Sequence, residues 1–277
     1  MFIENRFDTG ELILNVADGG HDGPPIIFLH GLTSFWREYA PLLHQLTQFG
    51  HVYAPDLRGH GKSGRGHRYQ PEDYARDIAS FLQQHIGKPA VLVGHSLGAL
   101  VAMQLAAQHP ECVRSLVLLD PPLCIREVGP EAMTEINMWM QWVYEMASEK
   151  RPFSEIVSSC CQMMPEIEDG ATIEMLAQTV ASLDPNTLTC FFETQLQNDA
   201  LETLILTIHV PTLLLHGNWE LGAVVRDEDA ALLQASIPAA KVVKVTDAGH
   251  MLHQEQATFV WEYIAQFLEG ARETAVV

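Results

Sequence analysis

Ser96 stands between two glycines in Gly94-His95-Ser96-Leu97-Gly98, inside the longer run VLVGHSLGALVAMQLAAQHP (91–110). A serine hydroxyl is a weak nucleophile. It needs a base to take its proton, an acid to orient that base, and donors for the oxyanion that forms. The spacing G-x-S-x-G suits such a serine where a strand runs directly into a helix. Here AVLVG (90–94) reads as a strand and Leu97–His109, ended by Pro110, as a helix. A Cβ at either glycine would crowd that strand or helix, and the helix start aims free backbone N–H groups at the serine. This context favours a nucleophile over an ordinary tight turn. A base is offered by DAGHMLHQEQ (247–256): His250 comes straight off the last strand after Ala-Gly, and His253 reads as helix surface or pocket wall. Two histidines could suggest a metal, but no matching carboxylate cluster accompanies them, so no metal is expected.

The elements that must position these residues alternate along the chain. ELILNVAD (11–18) reads as an edge strand, and PPIIFLH (24–30), HVYAPD (51–56), AVLVG, VRSLVLLD (113–120), VPTLLLHG (210–217) and the start of AKVVKVTDAGH (240–250) as further strands. Between them FWREYAPLLHQLTQFG (35–50), ended by Gly50, PEDYARDIASFLQQHIG (71–87), opened by Pro71 and ended by Gly87, DEDAALLQASI (227–237), with acids at its start, and QATFVWEYIAQFLEG (256–270) read as helices. Short apolar strands alternating with amphipathic helices imply a mostly parallel central sheet flanked by helices. The fold class is α/β, with a core of residues 1–120 and 209–277.

From 121 to 208 no strand pattern is convincing, and EAMTEINMWMQWVYEMASEK and GATIEMLAQTVASL read as helices. This block is expected to be a helical cap inserted between two sheet strands. It holds Met133, Met138, Met140, Met146, Met163, Met164 and Met175, together with Trp139 and Trp142. These side chains suit either the cap's own core or an adaptable apolar lid over a pocket.

FLHGL (28–32), APDLRGHGKS (54–63), VGHSLGA (93–99), LLLHGNWE (213–220) and DAGH (247–250) occur in an order that resembles the α/β-hydrolase fold family over nearly the whole chain. The resemblance implies a serine esterase-like member with Ser96 as nucleophile and His250 as base. It places the triad acid in the loop after the strand ending at Leu215, where Glu220 stands in the position of a commoner Asp. Asp120, after SLVLLD, is the alternative, and Asp227 a third option that also looks like a helix N-cap. The oxyanion donors implied are the backbone N–H groups of Leu97 and Leu32, with Thr33 in reserve. Thr33, His95, Trp139, Trp142, Trp219 and Met251 are candidates for the pocket wall. The glycine-rich DLRGHGKSGRGH (56–67) lacks P-loop spacing and reads as structural turns.

Bulk properties narrow the function further. The 277 residues carry a formal charge of −19, with 47% hydrophobic and 18% charged residues. That surface disfavours nucleic acid and anionic membranes, and no apolar run reaches the roughly 18 residues of a membrane span. Five cysteines without scaffold spacing, and an N-terminus without a signal-peptide pattern, point to a cytoplasmic protein with reduced thiols. The expectation is a cofactor-free serine hydrolase for a neutral, apolar, ester-like small molecule. Perhydrolase or haloperoxidase-like chemistry, C–C bond hydrolysis, and a small-ligand receptor on the same fold are the alternatives. Oligomeric state is not legible.

Overall fold

The computed structural model describes residues 1–123, 134–189 and 203–273. Eight strands form one sheet: β1 (Ile3–Asp8), β2 (Ile13–Gly20), β3 (Pro25–Leu29), β4 (His51–Pro55), β5 (Ala90–His95), β6 (Val113–Leu119), β7 (Thr212–His216) and β8 (Ala240–Lys244). Their order is β1-β2-β4-β3-β5-β6-β7-β8. β1 and β2, and β2 and β4, pair antiparallel; every pair from β4 to β8 is parallel. The central strands β3, β5 and β7 are buried at every position. This is why they read as continuous apolar runs rather than as alternating ones.

The sheet is covered on both faces. α2 (Pro71–Phe81) and α3 (Leu97–Gln108) pack over one face in a cluster with Leu14, Leu92 and Leu116. α1 (Ala40–Leu46) and the closing helix, Ala257–Glu273, cover the other with Phe28, Val93 and Leu215. α2 starts from a capping box between Gln70 and Asp73 with Pro71 in its first turn, which is the start signal its sequence carries. α3 is buried along almost its whole length. Only small and aliphatic residues such as Ala99, Ala102 and Ala106 permit so close an approach to the sheet.

Two expectations change at the amino end. The strand read at 11–18 is not an edge: Ile3–Asp8 pairs along it and forms the edge instead. IENRFD carries too many polar side chains to signal a strand on its own. FWREYAPLLHQLTQFG opens as a single 3₁₀ turn, Trp36–Tyr39, before α1, because Pro41 is tolerated only near a helix start.

Between β6 and β7 lie α4 (Thr134–Ser148), α5 (Phe153–Met163) and α6 (Gly170–Ser182). They enclose an apolar cluster of their own around Val143, Met146, Ile156, Cys160, Ala177 and Val180. α5 carries no clear signal in the sequence; its polar serines and paired cysteines mask the apolar stripe. Cys160 is buried there and Cys161 exposed, both free. Met133, Cys124 and Cys190 lie outside the described residues.

Candidate active site

Three loops that leave parallel strands at their carboxyl ends meet above the sheet, where open α/β sheets place their ligands. β5 runs into Ser96, β6 ends just before Asp120, and the chain beyond β8 brings in His250. Ser96 has φ 52° and ψ −118°, a conformation costing an L-residue on the order of 1–3 kcal/mol. The glycines beside it make the turn possible. A Cβ on Gly94 would lie 2.4 Å from the Gly98 carbonyl oxygen, and one on Gly98 only 2.1 Å from that of Leu29. The Ser96 N–H donates to the Leu119 carbonyl at 3.0 Å, which ties the turn to β6.

His250 Nδ1 donates to Asp120 Oδ2 at 2.7 Å, so Nε2 is the ring's free base. Asp120 is fully buried and itself sits at φ 44°. Its carboxylate accepts two backbone N–H groups from the loop after β7: Gly217 at 3.3 Å and Val224 at 2.8 Å.

Glu220 is not the residue that pairs with His250; the structure puts Asp120 there. Glu220 is exposed in the 3₁₀ turn Trp219–Leu221, which the Asn218 side chain caps by accepting the Glu220 N–H at 3.1 Å. The loop turns its backbone donors inward and leaves the glutamate side chain outside. Asp227 is exposed as well, opening α7 (Asp227–Ser236) behind Arg226, which is the cap residue, and pairing with Lys244 at 2.8 Å.

The expected oxyanion donors also meet at the site. Leu97 and Leu32 both line the pocket, and among the described residues neither backbone N–H has an acceptor. The loop carrying Leu32 passes so close that a Cβ on Gly31 would lie 3.1 Å from His95 Nδ1 and 3.4 Å from Ser96 Cβ. Thr33 bends the loop at φ 56°.

A hydrogen-bond chain joins this loop to the base. The Gly31 N–H donates to the Tyr39 hydroxyl at 3.2 Å, the hydroxyl donates to His95 Nδ1 at 2.8 Å, and His95 Nε2 donates to the His250 carbonyl at 3.0 Å. His95, expected as pocket wall, is therefore also a brace for the His250 backbone. Burial, reinforced by His253 and His250, holds its pKa well below the ordinary histidine value. The sequence gives no signal for Tyr39, which lies in a segment that reads only as an amphipathic helix. His253 stacks on Tyr39 at 4.8 Å, and burial pushes its pKa down to about 3.

Ser96 and His250 open onto one pocket of about 1430 Å³. Of the candidates for its wall, Thr33, Trp139, Trp219 and Met251 line this pocket, together with Met140, Met164 and Met175. Trp142 is not a lining residue; it packs behind Trp139 with ring centroids 5.2 Å apart, within the apolar cluster of the inserted helices. The methionines thus divide between the pocket wall, the cluster, where Met146 is buried, and the surface, where Met138 is exposed.

Residues 26–262 match the model of the alpha/beta hydrolase family. The chain belongs to that family. A 2-(acetamidomethylene)succinate hydrolase of Mesorhizobium japonicum is 42% identical over 120 residues, a match spanning 43% of either chain. An sn-1-specific diacylglycerol lipase (ABHD11) of Danio rerio is 26% identical over 276 residues, covering 93% of this chain and 82% of that one. Among solved structures, an E-2-(acetamidomethylene)succinate hydrolase superposes with a TM-score of 0.74 at 25% identity over 97% of this chain and all of its own. The chain is accordingly an α/β-fold hydrolase.

The remaining motifs of this hydrolase are scaffolding. His30 Nε2 accepts the Leu57 N–H at 2.8 Å while Nδ1 donates to the Gly31 carbonyl at 2.8 Å, which pins the loop after β3. Asp56 accepts the Trp36 and Lys62 N–H groups at 3.1 and 2.9 Å, and Gly61 bends past it at φ 54°. Arg58 is fully buried and binds Asp77 through two bonds of 2.6 and 2.8 Å. The glycine-rich loop therefore builds turns, as its spacing implied. Among the described residues no group of three or more His, Cys, Asp or Glu is placed to hold a metal ion, and no helix is long and apolar enough to cross a membrane.

Proposed function

We propose that this hydrolase cleaves neutral, largely apolar carboxylic ester-like substrates through an acyl-enzyme on Ser96. The observation that carries the reading is the hydrogen bond from His250, which lines the pocket with Ser96, to the buried Asp120. His250 Nε2 takes the Ser96 proton as the oxygen attacks the carbonyl, then gives it to the leaving alcohol. Asp120 holds the tautomer and stabilises the imidazolium. The Leu32 and Leu97 N–H groups receive the oxyanion. Water, activated by His250, releases the acid and restores Ser96. The three inserted helices act as the cap, and their Trp139, Met140 and Met175 form an adaptable apolar wall. The lipase name of the Danio rerio relative supports ester chemistry. The apolar walls support a neutral substrate over an anionic one such as that named for the Mesorhizobium japonicum relative.

The test is intact mass after fluorophosphonate treatment, with turnover of p-nitrophenyl esters of increasing chain length. Wild-type protein should take one adduct, and Ser96→Ala none, with turnover falling by at least about 10⁴-fold. A folded wild-type protein with no adduct and no turnover would overturn the reading.

A further inference from the structure

One pocket side chain is left over by this mechanism. Glu38 follows the oxyanion loop in the 3₁₀ turn Trp36–Tyr39 and lines the pocket beneath α6. Its Oε2 accepts the Ser34 hydroxyl at 2.8 Å, and its Oε1 accepts the hydroxyl of Thr179 on α6. An ionised carboxylate offers about four acceptor sites, so these two donors leave capacity unused. Among the described residues no Lys, Arg or His forms an ion pair with it. Its neighbour Arg37 also lines the pocket, but its guanidinium lies 5.2 Å above the Trp36 ring and 3.8 Å from Glu4, and it makes no ion pair with Glu38.

The other carboxylate on the pocket wall is differently placed. Asp169 caps α6, accepting the Thr172 N–H at 2.9 Å, and the helix dipole suits it there. Glu38 has no such compensation. Burial lifts its pKa to about 7 against the two hydroxyls that lower it. A partly desolvated carboxylate without a counter-charge, facing an apolar cavity, is costly unless a ligand completes it.

We propose that Glu38 sets the pocket's charge specificity: it receives an ammonium or another hydrogen-bond-donating group of an otherwise apolar substrate and turns anionic substrates away. This rests on the acyl-transfer reading of Ser96 and widens its substrate class from neutral esters to neutral or cationic ones. A merely structural role, a latch from the oxyanion turn to α6 through Thr179, would need the hydrogen bond but not the charge.

Binding separates the two roles. In the Ser96→Ala protein, hexylammonium and hexanoate would be titrated by calorimetry at about pH 8, where Glu38 is mostly ionised. Hexylammonium should bind about tenfold more tightly than hexanoate. Glu38→Gln, which keeps the shape and can still bond both hydroxyls, should erase that preference. Thr179→Val, which removes the latch but keeps the charge, should preserve it. In the Ser96 enzyme, Glu38→Gln should change the ratio of p-nitrophenyl 6-aminohexanoate to p-nitrophenyl hexanoate turnover through KM rather than kcat. Equal binding of the two ligands, a preference unchanged in Glu38→Gln, or the same loss in Thr179→Val would overturn the proposal. Failure of the acyl-transfer reading would register separately, as absent fluorophosphonate labelling of wild-type protein.

Discussion

A carboxylate that orients an imidazole must first be held itself. Asp120 is held by the Gly217 and Val224 N–H groups in a fully buried position, whereas Glu220 is exposed on the outside of the same loop. Asp120→Asn leaves the side chain's shape but presents His250 Nδ1 with an amide, favouring the wrong tautomer. It should lower kcat roughly 10³–10⁴-fold, and lower the melting temperature by several degrees, because the same amide faces the Val224 N–H and leaves that buried donor unpaired. Glu220→Gln should leave kcat within about twofold, as surface changes usually do. Steady-state kinetics on the two variants decides the matter, and the reverse ranking would reinstate Glu220. The sequence singles out Ser96 and His250 as candidates because each is bracketed by local turn chemistry, G-x-S-x-G and Ala-Gly-His. A candidate acid carries no such local mark. Asp120 is held at His250 by two N–H groups donated from about a hundred residues away, a contact that spacing along one loop cannot show, so the sequence put Glu220 first and Asp120 second.

At the scale of elements, the site is a consequence of how closely α3 sits on β3 and β5. Gly98 is the point of contact, with no room for a methyl group beside the Leu29 carbonyl. Gly98→Ala must push helix and strand apart, at about 3 kcal/mol or more, and will displace Leu97 and the Leu32 loop together. Gly170, in the first turn of α6, is in open space: a Cβ added there would meet nothing within 4 Å. Gly170→Ala should therefore hold or slightly raise stability, since alanine is the better helix former. Urea denaturation with esterase assays on the two proteins would show the contrast, and a Gly98→Ala protein of native stability and activity would refute it. Elements with strong periodicity or clear punctuation, such as β3, β5, α2 and α3, were legible from the sequence for this same reason: burial on both faces and caps at the ends leave marks in composition. β1 and α5 were not, because β1 owes its existence to pairing with β2 and α5 to packing against α6.

Over the whole molecule, burial favours the neutral form of five histidines among the described residues. His30, His60, His95, His216 and His253 all have pKa values lowered by burial, His60 to about 4 and His253 to about 3. Above the unfolded value of about 6.5, neither state binds these protons and they contribute nothing to the pH dependence. Below it the unfolded chain takes up protons that the native state refuses, so stability falls as pH drops from about 6.5 toward 4, at up to about 1.4 kcal/mol per pH unit for each group. Glu38, raised to about 7, acts in the opposite sense between about 4.5 and 7. Asp56 and Asp77, also raised by burial, do so only from about 3.9 upward to their folded values. These are three groups against five. His253 isolates the effect. Among the described residues neither of its ring nitrogens has a hydrogen-bond partner, and its ring is already stacked on Tyr39. His253→Phe keeps the stack and removes the titration. Melting temperatures measured between about pH 7 and 5 should fall for both proteins, and less steeply for the variant. Parallel curves would mean that His253 is protonated in the folded state, and that the cluster of His95, His250 and His253 around Tyr39 tolerates charge that its burial argues against.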